Sequence, residues 1–337
     1  MSTKIGNWQV VALLTLSQLF WLLSWPRPMQ NALRLAVAAL LTALFVSIVL
    51  GILSRPKNAQ ILLDSGFARA LLWGFSTLVF LQTALRFLTE FSLLTKGMFD
   101  SLWVLFSLLL ASVALSFLGL EALCRSAFIL FFFFIFAILL LAAGLWNQCN
   151  ILNLTPPEQS GGSFWNSILA ILPWQGELIL YLLLRPRVAK PLAKLYRIWI
   201  SIELILGTFL LVLCGVALGN YGARGGYPLF LLSQLAGFSA FSRMTPIYWF
   251  LLTVSTVFRL GIFFFVSGEA LSKGKGEKIV AQNRWIQCGI LLAAIIAAYY
   301  CRVDAVWIDA AIGIFAVGLC LIVSMTSAKG GPVHAKE

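Results

Sequence analysis

The sequence predicts an all-α, polytopic membrane protein: about ten transmembrane helices in a 5+5 inverted repeat, with the first and sixth helices broken. Three observations lead there. Of 337 residues, 61% are hydrophobic and 11% charged, and mean hydropathy is +0.96, far from a soluble globular domain. The apolar residues come in runs of about 20, the length a helix needs to cross the hydrocarbon core. The long outer connection at 147–162 divides these runs into five and five. An odd number of spans per half inverts one half relative to the other, the plan of many secondary transporters. The chain is therefore read as one transmembrane domain, with residues 1–150 as the first repeat, 151–328 as the second and 329–337 as a cytoplasmic tail.

The first span covers about residues 9–25, carries Ser17 and Gln18 at its centre, and stops at Pro26-Arg27-Pro28. Polar residues at mid-membrane face protein or a cavity rather than lipid. The second span, about 32–53, is nearly featureless. The third, about 67–94, holds Gln82, Arg86 and Glu90; the last two lie four apart and share a helix face, as a self-neutralising pair would. Spans four (about 100–117) and five (about 121–146) follow closely, with Glu121 and Arg125 again four apart. The run Phe131 to Phe134 serves lipid contact or packing.

The stretch 164–184 reads as a span broken in its middle. Pro173 lacks a backbone N–H, Gly176 adds backbone freedom, and between them stand Trp174 and Gln175, just before Glu177. Such a break persists in hydrocarbon only where the freed backbone groups face protein or a water-filled cavity. Pro173, Trp174, Gln175 and Gly176 are therefore candidate pocket lining, although Trp174 serves equally as a packing aromatic. Glu177 opens the second half-helix, where it either caps the break or coordinates a ligand or cation.

Span seven, about 198–218, carries Glu203 near one end. The glycine-rich loop 219–227 lacks the strand-turn-helix context of a phosphate loop, and 229–241 suits a short interfacial or re-entrant helix. Span eight, about 244–270, places Tyr248, Ser255 and Arg259 near one face, with Thr253 and Thr256 close by. Arg259 has no acid within a turn, so its partner lies on another helix or is a carbonyl, with Glu203 or a bound anion as candidates. The hydroxyls either bond a ligand or bond their own helix. Spans nine (about 285–300) and ten (about 304–325) complete the set.

The formal charge of +12 does not indicate nucleic acid, because the basic residues sit in short loops between apolar spans. The densest cluster, Arg185, Arg187, Lys190, Lys194 and Arg197, and the loop with Lys273, Lys275, Lys278 and Arg284 mark cytoplasmic ends. With ten crossings this sets both termini in the cytoplasm. No cleavable signal is read at the N-terminus. Six cysteines stand singly and the one histidine, His334, lies in the tail, so neither a metal site, a cofactor nor a disulfide framework is expected. Most membrane-bound transferase sites use His or paired acids in a loop or cavity, so the place of the one histidine in the tail argues against an enzyme.

Several stretches then carry a resemblance. Lys4-Ile5-Gly6-Asn7-Trp8-Gln9, Leu85-Arg86-Phe87-Leu88-Thr89-Glu90-Phe91, Gly119-Leu120-Glu121-Ala122-Leu123-Cys124-Arg125, the Gly176-Glu177 step with its basic exit, and Ser242-Arg243-Met244-Thr245-Pro246-Ile247-Tyr248-Trp249 follow in order over about residues 4–271. Their succession resembles the B subunits of bacterial spore germinant receptors, a family similar to the amino acid, polyamine and organocation transporters. The resemblance implies ten helices, the first and sixth unwound around a small-molecule pocket. It also implies germinant sensing in the spore inner membrane beside an A subunit and a lipoprotein C subunit. The expected ligand is a small nutrient such as an amino acid, bound by Ser17, Gln18, Pro173, Trp174, Gln175, Gly176, Glu177, Tyr248 and Thr253, with Arg86, Glu90, Glu203 and Arg259 as structural or coupling charges. An ion-coupled transporter of the same fold is the alternative.

Overall fold

In hydrocarbon each backbone N–H and C=O must be bonded within the protein, so long apolar runs become helices. The computed structural model describes residues 5–25, 32–53, 66–95, 100–154, 164, 167, 177–188, 194–219, 226–237, 243–272, 277–300 and 312. The α-helices among them are α1 (Asn7–Leu23), α2 (Ala32–Leu53), α3 (Gly66–Leu94), α4 (Ser101–Phe117), α5 (Leu120–Gly144), α6 (Glu177–Leu184), α7 (Leu195–Leu218), α8 (Pro228–Leu235), α9 (Thr245–Ser272) and α10 (Glu277–Tyr300). No strand occurs among the described residues; a single parallel bridge pairs Ile5 with Val188. Five of these helices, α2, α3, α5, α7 and α9, are long and apolar enough to cross a bilayer. The protein is an all-α integral membrane protein. The tenth predicted span lies outside the described residues except for buried Ile312.

Two expectations are corrected. The first span is not broken: α1 runs unbroken from Asn7 to Leu23 through Ser17 and Gln18. It contains no glycine or proline, and both polar side chains find partners on other helices, so nothing forces the backbone open. The helix of the ninth span starts earlier than its apolar run. Lys278 and Arg284 belong to α10 rather than to the preceding loop, while the apolar stretch itself begins at Arg284, close to the predicted start.

The helix ends follow local chemistry. The Gly6 N–H donates to Gln9 Oε1 at 3.0 Å at the start of α1. Asp100 caps α4 by accepting from the Leu102 N–H at 3.0 Å. Gly119, at φ 97°, turns the chain directly into α5, whose first turn pairs Glu121 with Arg125. Beyond α5, Asn153 Nδ2 and the Asn150 N–H both donate to the Val216 carbonyl, at 2.7 and 3.1 Å, and satisfy an orphan acceptor near the end of α7.

Helices α1 and α9 are the core. Every residue of α1 from Val10 to Leu23 is buried, as expected of a helix apolar all round. It packs against α5, α6, α7 and α9, while α9 also packs against α3, α4, α5 and α10. The lipid-facing side is equally legible. Ile129, Phe132, Phe133, Phe136 and Leu139 of α5 and Val37, Leu40, Leu41, Leu44, Phe45 and Ile48 of α2 are exposed at helical spacing. Within the phenylalanine run, Phe132 and Phe133 face outward and Phe134 inward.

Helix α7 approaches α2 closely at Gly215, where a Cβ would lie 2.5 Å from the Ala32 Cβ and 2.9 Å from Leu154 Cδ2. Overpacking of this kind costs about 1–3 kcal/mol. Gly215→Ala should therefore lower the melting temperature of the purified protein in detergent, whereas Gly289→Ala, where a Cβ meets nothing, should not.

Candidate polar centre of the bundle

Burying an ion in hydrocarbon costs several kcal/mol, so an interior charge needs a counter-charge and hydrogen bonds. Arg259, near the middle of α9, and Glu177, the first residue of α6, are both fully buried and form an ion pair through Arg259 Nη1 and Glu177 Oε1. This corrects the expectation that Glu203 or a bound anion balances Arg259. The carboxylate sits at a helix N-terminus, where the partial positive charge of the exposed N–H groups favours it.

Helices α1 and α3 complete the shell. Ser17 Oγ donates to the same Glu177 oxygen at 3.0 Å, and Arg259 Nη1 donates to the Ser17 carbonyl at 2.9 Å. Arg259 Nε donates to Thr83 Oγ1 at 3.1 Å. Thr83 spends its own proton on the Val79 carbonyl at 2.7 Å, which leaves oxygen lone pairs for the guanidinium. The rings of Phe20, Trp21 and Phe263 lie 5.6, 5.0 and 5.3 Å from the guanidinium carbon, within reach of a cation–π attraction that burial strengthens. Glu177 Oε2, also buried, has no hydrogen-bond donor.

Of the other predicted site residues, Gln18 lies one position along α1 from Ser17 and hydrogen-bonds to the buried carboxylate of Glu203 on α7. Glu203 is close enough to Glu177 for the two charges to interact. Tyr248 is buried, but its hydroxyl donates to the Leu23 carbonyl at the end of α1, at 3.2 Å, and so closes a helix terminus. Ser255 and Thr256 both donate to the Leu252 carbonyl of their own helix, at 2.9 and 2.6 Å. Thr253 is half-buried and takes no part in the centre. Arg86 lies over the Trp21 ring at 4.5 Å, and Glu90, one turn further along α3, is fully buried within range of its charge. Pro173, Trp174, Gln175 and Gly176 lie outside the described residues.

Four residues of the centre were not singled out by the sequence: Thr83, Phe20, Trp21 and Phe263. Thr83 carries a retrievable signal, since it stands seven before Glu90 and shares its helix face.

No model of a known protein family matches this chain, and no curated protein does.

The chemistry available is that of a dry charge pair with a free carboxylate oxygen. Removing one partner of a buried pair costs about 3–5 kcal/mol, whereas replacing both by apolar residues is often nearly neutral. Arg259→Met alone should strongly lower the melting temperature, and Glu177→Leu added to it should restore much of the loss. A double variant no more stable than the single one would show that the two charges are not coupled.

Proposed function

We propose that this protein is the membrane subunit of a spore germinant receptor and senses a small nutrient, in the first instance an amino acid, at the Ser17–Glu177–Arg259 centre. The observation that carries the reading is the buried Glu177–Arg259 pair, set at the meeting of helices from both halves of the chain. An amino acid is a zwitterion, with a carboxylate for Arg259 and an ammonium for Glu177. It can replace the pair's mutual contact with two contacts of its own and hold α6 apart from α9. A ligand shifts an equilibrium only by its differential affinity for two states, and partner exchange at a desolvated ion pair provides that difference.

The rest of the reading comes from the sequence: ten spans in an inverted 5+5 repeat, both termini cytoplasmic, a place in the spore inner membrane, and a response passed to an A subunit and a lipoprotein C subunit. The protein acts as a sensor and not as an enzyme. A second reading, an ion-coupled amino-acid transporter, draws on Glu203, a second buried carboxylate beside Glu177. Substrate-dependent ion flux into liposomes holding this chain alone would favour it.

A thermal-shift screen of amino acids and sugars on the purified protein tests the proposal. A ligand present at 100 times its Kd stabilises by about 2.7 kcal/mol, so one or a few amino acids should raise the melting temperature. Glu177→Gln should abolish that rise. Protection by sugars alone, or equal protection of Glu177→Gln, would remove the zwitterion from the centre.

A further inference from the structure

Among the described residues, Glu90 carries a buried carboxyl group with no hydrogen-bond donor on either oxygen, although each unsatisfied buried acceptor is costly and charged ones most of all. Arg86 is near enough to act on it through charge, but the Arg86 guanidinium lies over the Trp21 ring instead of bonding it. Glu177, by contrast, has two donors on one oxygen.

Glu90 shares a face of α3 with Thr83, seven residues and so about 10 Å away along the helix. It therefore stands between the Arg259 centre and the end of the bundle where α9 begins. Aromatic side chains gather at that end. Phe91 packs edge-on against Trp249 at 5.1 Å, and Trp249 in turn meets Phe230 at 6.1 Å. Tyr227, half-buried at the start of α8, feels the Glu90 charge.

We propose that Glu90 binds an organic ammonium group, with the carboxylate oxygens accepting its N–H bonds and the neighbouring rings receiving its charge and apolar substituent. Two free oxygens call for a donor with more than one N–H. Ring faces attract such a cation, whereas an alkali ion needs a full shell of oxygen ligands, and the described contacts at this end are aromatic. The site stands apart from the Glu177–Arg259 centre and does not depend on the sensing reading.

Dicyclohexylcarbodiimide, an apolar reagent that modifies buried carboxyl groups, reports on Glu90 in the wild-type protein by peptide mass mapping. At fixed pH and ionic strength, n-propylammonium chloride should slow modification of Glu90 several-fold, while sodium chloride and sodium propionate should not. In parallel, n-propylammonium should raise the melting temperature of the wild type and not of Glu90→Gln. Unchanged modification of Glu90 with n-propylammonium overturns the proposal. Equal protection by sodium chloride does so too, by assigning the site to an alkali ion.

Discussion

A carboxylate and a guanidinium enclosed in the same apolar interior hold each other in place, because neither can leave without stranding the other. In this protein that constraint falls on Glu177 and Arg259, and the positions of four helices follow from it. Helix α6 must begin where its first residue meets α9. Helix α1 must bring the Ser17 hydroxyl and carbonyl to opposite members of the pair, and α3 must supply Thr83. Much of the rest of the bundle is apolar packing around this centre, tight enough at Gly215 that not even a methyl group fits. Apolar packing alone sets few distinctions between helices in a bilayer, where lipid is as apolar as leucine. The polar centre supplies the directional contacts that fix which helices meet and in which rotation.

The five long apolar helices were legible from the sequence because the hydrophobic signal is strong and local. The predicted third span, about 67–94, and α3 at Gly66–Leu94 differ by a residue. What hydropathy could not reveal was whether a polar residue inside a span breaks the helix or bonds across to another. Ser17 and Gln18 do the second. Their partners Glu177 and Glu203 are more than a hundred residues further along the chain, and no periodicity in a short window records such a contact. Arg259 illustrates the same limit. Local spacing correctly excluded a partner on its own helix, yet the choice between Glu177 and Glu203 depends on how α6 and α7 are rotated. Tyr248 was legible as sharing a helix face with Ser255 and Arg259, but its role in closing α1 through the Leu23 carbonyl needs the two helix ends to be adjacent in space.

Helix α3 carries polar groups in sequence along one face: Thr83, then Arg86, then Glu90. Two of these are bound to the centre, Thr83 by a hydrogen bond to Arg259 and Arg86 by its place on the Trp21 ring. Movement of α9 that displaced Arg259 would be felt along this face as far as Arg86, since Thr83 bonds Arg259 and the Trp21 ring lies within reach of both guanidinium groups. The physical basis for coupling is thus a short, connected set of polar and aromatic contacts and not proximity alone.

Trp21 occupies an unusual place in that set. Its indole lies within reach of two guanidinium groups, 4.5 Å from Arg86 and 5.0 Å from Arg259. The excited indole has a larger dipole than the ground state, so its emission energy depends on the field of nearby charges. The emission of this one residue of α1 therefore carries the field of the interior: an event that moves one guanidinium relative to the other shifts its contribution, which stands among those of the chain's twelve tryptophans.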